Sequence, residues 1–564
     1  MEKSLSHKSH MSRKSQKSQR REKFGAFAFC RENDKGNCMK RWLWIILVVM
    51  CAMTAAAQTK KAPARRKRVG IKPIKERIMT ENIKIDEALA AEMKAGMERI
   101  RQVKAENCEI TGLEFVPNGA YVSSDGHPEP HLPNFVAVQY VLRPTAESYI
   151  RCELWLPKAE KWTGNLWAGG NGGRAGNVPE GFLRTQIRTY DASVTTDMGS
   201  SKNFSNPEVW KDFGWRSTHL MTVVAKQFVE AFYGRKPSYS YFTGSSTGGG
   251  QAMMEVQRYP EDFDGVLCGV PALWRIPNFL YFLHLRRCTH DMDGKLVFTA
   301  EQMDNVSKAA VEYLAAREEP YAAGKFITNP EYSKEAADAI IERAAAMEPK
   351  MNDDQKARVA KMLEGPFLNG KRVLNGIPFT ASIKTMADRG IWCLNWYFGN
   401  DADFMKLTDE QLTEFVKAFA DDFNARDYDM RPFEAHGGKL IVFAGTEDPI
   451  CPYHVAAGYL GRAAKLLGGW DKLSPFCRYY LLPGRAHGGG NGVQSLVNLQ
   501  KVIRDWRENG IAPDVLDGKM KDGTIVPVAP YPDKMTGDLK EGLKRVKGEP
   551  IKLAEPDEFF LFGK

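Results

Sequence analysis

Ser246 stands between Gly244 and Gly248 in a G-x-S-x-G frame, where a strand-like run (Tyr239, Tyr241, Phe242) gives way to a helix-forming run from Gln251 to Tyr259. A serine held there is lifted above a sheet edge by a sharp, strained turn that small neighbours permit. Its hydroxyl is a poor nucleophile near neutral pH, so it needs a base to take its proton and a partner to orient that base. The fold that uses such an elbow places nucleophile, acid and histidine in that chain order. Asp448, behind a buried strand in GTEDP, and His487, behind a strand and a Pro-Gly turn in LLPGRAHGGG, satisfy the order, with Glu447 competing for the acid's place. The chemistry these residues suit is acyl transfer through an acyl-serine.

Negative charge that grows on the attacked carbonyl oxygen calls for two aligned backbone N–H groups. Thr247 N–H, next to the nucleophile, is one expected donor. The run Gly169, Gly170, Asn171, Gly172 and Gly173 follows an earlier strand, and Gly172 is the expected second donor. A phosphate-binding reading of this run is disfavoured because no Lys-Ser/Thr follows it. His127, His131 and His290 read as structural, and His436 and His454 lie near the acid strand but fit no triad order.

GSSTGG followed by EVQRYPEDFDGVLCGVPA resembles the elbow of the tannase and feruloyl esterase family of serine esterases. The likeness extends to NLWAGGNGGRAG, WRSTHLMTVVAKQFVEAFYG, GGKLIVFAGTEDP and LLPGRAHGGG, over about residues 105–535, with 286–370 matching poorly. It implies an α/β-hydrolase acting on esters of aromatic acids such as feruloyl or galloyl. It also implies that the acid is Asp448, directly before the proline, and that His219 is a structural helix residue. Other members act on terephthalate monoesters or simple aryl esters. A catalytically idle glycan-binding relative is the alternative from another class, disfavoured by the intact Ser, Asp and His.

Two departures from the family stand out. Members commonly join a cysteine before the nucleophile to one after the histidine, and here those positions are Ser245 and Gly488. Many also hold calcium in an Asp-rich lid loop, whereas this chain reads REEPYAAGKFITNP there, and Asp291 and Asp293 alone cannot supply the six or more oxygens calcium takes. No metal and no cofactor are expected.

The elements that must position the site follow from pattern. Strand runs at 135–142, 149–156, 165–168, 192–195, 265–270, 439–444 and 478–482 alternate with helical runs at 215–233, 453–467 and 493–508, which predicts an α/β sheet, mostly parallel. Residues 273–432, rich in Ala, Glu and Lys at helical spacing as in 300–318 and 407–423, predict a large, mainly helical lid inserted between the strands at 265–270 and 439–444, the place between the sixth and seventh strands of an α/β-hydrolase fold. The catalytic domain then comprises 86–272 and 433–564. Trp392, Trp396, Tyr397 and Phe398 can line an aromatic pocket in that lid or form the core of a helix.

At 564 residues with 43% hydrophobic and 26% charged side chains, the chain has globular composition. Its net charge of +10 is concentrated at the start, where residues 1–57 hold 12 Lys/Arg against 4 Asp/Glu and 58–68 add 6 more Lys/Arg. The remainder is slightly acidic, so nucleic acid is not an expected partner; a small-molecule or polysaccharide-linked aromatic ester is. Lys40 and Arg41 precede the apolar run Trp42 to Met53, and an A-x-A site at Ala55 and Ala57 follows. This predicts a signal peptide cleaved after Ala57, a secreted or periplasmic protein and no stable membrane span, with Met39 as a candidate true start. A basic linker is expected over 58–85. Of ten cysteines seven lie beyond Ala57, and Cys108 with Cys152 is the expected bridge among them.

Overall fold

The computed structural model describes residues 72–563 apart from 81, 82, 84, 202, 203, 317–329, 331, 388–391 and 539–541. The signal-peptide reading over 1–57, most of the expected linker, and the REEPYAAGKFITNP stretch except Pro330 lie outside the described residues. Within the span read as linker, the turn Ile74–Arg77 belongs to the folded body: Ile74 and Arg77 are buried, and Arg77 is clamped 2.6 Å from Glu153.

Nine strands form the central sheet: β1 Cys108–Val116, β2 Phe135–Leu142, β3 Ile150–Pro157, β4 Asn165–Gly169, β5 Ala192–Thr196, β6 Tyr239–Ser245, β7 Gly265–Gly269, β8 Lys439–Gly445 and β9 Cys477–Leu482. Their spatial order is β1-β2-β3-β5-β4-β6-β7-β8-β9. The pairs from β1 to β5 run antiparallel, and those from β5 through β4 to β9 run parallel. The mostly parallel α/β sheet is therefore as expected, with β1 added at its edge.

Strands covered on both faces read as continuous apolar runs, and every residue of β2 is buried. Successive side chains alternate between two cores. Leu166, Ala168, Phe242, Val266 and Val442 face the larger core, which includes Phe228 of α3 (Ser217–Tyr233) and Met93 of α1 (Glu87–Arg101). Trp167, Tyr241, Leu267 and Ile441 face the other, closed by Ile503 and Trp506 of α11 (Leu499–Asn509). That last helix is shorter than its sequence pattern: Val493–Leu496 is a strand that pairs with Leu516–Met520, and Asn498 at φ 54° turns the chain before the helix begins.

Between β7 and β8 the chain is mainly helical, as in α5 (Arg275–Thr289), α6 (Ala300–Ala315), α7 (Lys334–Ala346), α8 (Asp353–Glu364) and α9 (Asp409–Phe423), with one small hairpin at Phe367–Arg372. Capping boxes at Thr299/Gln302, Asn352/Gln355 and Thr408/Gln411 start three of these helices by satisfying their first orphan N–H groups. The C-terminal residues bind this segment to the body, since Asn424 Nδ2 donates to Phe560 O at 3.0 Å and Asn375 Nδ2 to Ala554 O at 2.9 Å.

No disulfide forms among the described cysteines, Cys108 and Cys152 included. The expected bridge between them fails on register: Cys152 pairs with Tyr140 of β2, while Cys108 pairs with Leu142 of the same strand. A whole strand thus lies between the two thiols, and two strand spacings of about 4.8 Å exceed the reach of a disulfide.

Candidate active site

Ser246 sits between the end of β6 and the start of α4 (Thr247–Arg258) at φ 60°, ψ −115°, a conformation a side chain adopts only under strain. The turn closes because Gly244 has no Cβ: one there would lie 2.5 Å from Gly248 O. The strain presents the serine hydroxyl above the C-terminal ends of the parallel strands, where open α/β sheets assemble their sites. Asp448 and His487 arrive at the same rim from the ends of β8 and β9.

The structure brings the three expected residues into one hydrogen-bonded line. His487 Nε2 is 3.1 Å from Ser246 Oγ, and His487 Nδ1 is 2.8 Å from Asp448 Oδ2. Asp448 is fully buried, and its other oxygen accepts backbone N–H groups from Ile450 at 2.8 Å and Cys451 at 3.0 Å. Those donors fix the orientation of the carboxylate that holds the imidazole. Glu447 makes no part of this line; burial raises its carboxyl to about 7.

The loops are held by backbone rather than by sulfur. Arg485 and Ala486 pair with Gly490 and Gly489, so His487 and Gly488 form the tip of a tight hairpin. Glu447 N–H donates to Arg485 O at 3.0 Å, and Gly484 N–H donates to Thr446 Oγ1 at 2.8 Å, which ties the acid loop to the histidine loop. Residue types alone gave no sign of this bracing.

The glycine loop after β4 packs against the first turn of α4. Gly170 N–H donates to Thr243 O at 2.9 Å, Asn171 N–H to Gln251 Oε1 at 2.8 Å, and Gly248 N–H to Asn171 O at 2.7 Å. Gly170 and Asn171 thus spend their N–H groups inside the protein. Gly172 borders open space, and Thr247 begins the helix, where N–H groups have no intrahelical partner. Thr247 Oγ1 donates to Gly173 O at 2.7 Å and joins the start of α4 to the glycine loop. Sequence reasoning overlooked Asn171 and Gln251 as the residues that fix this loop.

The other histidines stand apart from this line. His219 Nδ1 lies 2.7 Å from Asp262 Oδ2 and its ring stacks on Tyr259 at 3.6 Å. Glu255 completes a group whose donor atoms lie within 4.8 Å of one another, yet Lys226 Nζ, 2.6 Å from Asp262 O, already places a cation beside it. Buried His454, 2.8 Å from Tyr332 Oη, is held neutral, down to about 3, by desolvation. Of Trp392, Trp396, Tyr397 and Phe398, Trp396 is a core residue, stacked on Phe204 at 4.3 Å, whereas Tyr397 is 37% exposed.

The tannase and feruloyl esterase family matches residues 137–318 and 398–536. The chain belongs to that family. Among relatives of this tannase/feruloyl-esterase member is feruloyl esterase B of Aspergillus niger, 29% identical over 416 residues, 66% of this chain and 77% of the relative. Crystal structures with the same fold include feruloyl esterase B from Aspergillus oryzae, with TM-score 0.72, 21% identity and coverage of 81% of this chain and 100% of the other. Tannin acyl hydrolase from Aspergillus niger aligns with TM-score 0.65 and 18% identity over 82% and 96% of the two chains. The family membership makes the protein a carboxylic ester hydrolase of α/β-hydrolase fold.

Proposed function

We propose that this family member is an exported enzyme that hydrolyses esters of aromatic acids through an acyl-serine on Ser246. The observation that carries the mechanism is the unbroken line from Ser246 Oγ through His487 to Asp448 Oδ2. His487 takes the serine proton as Oγ attacks the ester carbonyl, and Asp448 stabilises the imidazolium and fixes its tautomer. Thr247 and Gly172 N–H groups receive the oxyanion, each donor contributing about 3 kcal/mol of transition-state stabilisation. His487 then protonates the leaving alcohol, and a water activated by the same ring releases the acid. The aromatic acid is supported by the feruloyl esterase and tannin acyl hydrolase names of the relatives.

Export rests on the apolar run 42–53 and the Ala55/Ala57 site, and no described helix is long and apolar enough to cross a membrane. The mature chain should begin at Gln58. Purified protein offered methyl ferulate, methyl gallate and an aryl acetate tests the substrate class. Turnover of one of the aromatic-acid esters at a higher kcat/KM than the acetate is expected. Turnover of the acetate alone would remove the aromatic acid from the reading.

A further inference from the structure

Two buried side chains of α5, in the helical segment between β7 and β8, reach the loop that carries Asp448. Asn278 Nδ2 donates to Ile450 O at 3.0 Å, and Tyr281 Oη donates to Pro449 O at 3.1 Å. Three positions apart, they share one face of the helix. The helix is anchored in turn by Asn424, whose Oδ1 accepts the Ile276 N–H at 3.0 Å.

A peptide unit is planar, so holding its carbonyl oxygen also fixes the N–H on the other side of the same bond. The unit held by Tyr281 ends in the Ile450 N–H, and the unit held by Asn278 ends in the Cys451 N–H. These are the two groups that donate to Asp448 Oδ1, at 2.8 and 3.0 Å. Each unit is thus gripped by α5 at one end and presents its other end to the catalytic carboxylate. On the opposite flank of Asp448 the loop is tied to the histidine hairpin through Thr446 and Glu447.

Packing does not account for Asn278. It lies on a helix whose buried residues include Ile276, Phe279, Leu280 and Phe282, and its Oδ1 has no hydrogen-bond partner among the described residues. A buried unpaired acceptor is a cost that leucine would avoid, and what the amide supplies in return is the donor to Ile450 O. Burial raises the Tyr281 hydroxyl well above its ordinary range, so it stays protonated and able to donate at neutral pH.

We infer that Asn278 and Tyr281 are positioning residues for Asp448: they set the two peptide planes that orient its carboxylate, and through it His487. The segment between β7 and β8, which contributes no member of the triad, thereby controls how well the triad works. The inference rests on the acyl-serine reading above and adds to it the residues that hold the acid in place.

The test uses Tyr281→Phe, which removes one oxygen and keeps the ring, and Asn278→Leu, which keeps the size and removes the donor. Each is made in the wild-type chain and in Asp448→Ala. The readouts are kcat and KM with whichever of methyl ferulate, methyl gallate or the aryl acetate the wild type turns over, the rate at which a fluorophosphonate labels Ser246, and the thermal midpoint. In the wild-type background kcat and the labelling rate should fall on the order of 10-fold for each variant, with KM unchanged. In Asp448→Ala the same substitutions should cost nothing further, because the group they act through is gone. Should Asn278→Leu not fold, Tyr281→Phe carries the test alone; should Asp448→Ala not fold, the split between kcat and KM decides. Equal losses in both backgrounds, a change confined to KM, or full kcat in a folded Tyr281→Phe would overturn the assignment and leave the hydrolase intact. No turnover and no labelling of the wild type would remove the acyl-serine reading and the positioning role with it.

Discussion

Ser246 and His487 are 241 positions apart in the chain, and their Oγ and Nε2 atoms are 3.1 Å apart in space. The contact is made by two strand ends and a hairpin tip, not by core packing. Ser246→Ala should therefore abolish ester hydrolysis while shifting unfolding free energy by no more than about 0.5 kcal/mol. Parallel measurements of kcat and thermal midpoint check this. A variant that retained substantial turnover would move the nucleophile elsewhere.

Asp448→Asn should lower kcat by on the order of 10³ to 10⁴, because an amide at that position no longer holds the histidine tautomer that accepts the serine proton. The buried carboxylate receives Ile450 and Cys451 N–H groups as well as the imidazole. Steady-state kinetics of the variant measure the loss, and a small one would return the role to Glu447.

Glu447→Gln should leave catalysis nearly unchanged and alter the pH dependence of stability. Burial raises Glu447 from 4.5 to about 7, so in that window the folded chain holds a proton that the unfolded chain releases. Its contribution therefore falls as pH rises from 4.5 to 7. The glutamine variant should gain up to about 3 kcal/mol over wild type at pH 8 and nothing near pH 4. Urea unfolding at the two pH values is the check, and a gain at the acid end only would contradict it.

What sequence makes legible here is what depends on local or topological rules. The elbow declares itself by glycine spacing, and the acid and histidine follow from their order behind β8 and β9. The sheet's inner strands are continuous apolar runs. By contrast β1 escapes notice because Glu109, Thr111, Gly112 and Glu114 interrupt its apolar residues at an edge where one side is solvated. Val493–Leu496 reads as helix until Asn498 breaks it. The brace between Glu447 N and Arg485 O is backbone chemistry that no residue type announces.

Gly170→Ala should damage the oxyanion site. The added Cβ would lie 2.7 Å from Gly248 Cα and 3.1 Å from Gly244 Cα, backbone that cannot swing aside. Displacing the loop moves its donors, and the expected loss is on the order of 10²-fold in kcat. Kinetics with an ester that wild type turns over measure it; unchanged kcat would place the second donor outside this loop.

Turnover should withstand both dithiothreitol and EDTA. No disulfide links the seven described cysteines, and hydrogen bonds tie the Asp448 loop to the His487 loop. Assays after dialysis against each reagent decide the matter. Loss in EDTA restored by calcium would reveal a metal that the chain needs, and loss in dithiothreitol would reveal a bridge.

The central claim is that Ser246, activated by His487, is the nucleophile. Treating the purified chain with a fluorophosphonate and mapping the modified peptide by mass spectrometry tests it most directly. One adduct on Ser246, absent from Ser246→Ala and strongly slowed in His487→Ala, is the result expected; no adduct, or an adduct on any other residue, would contradict the account.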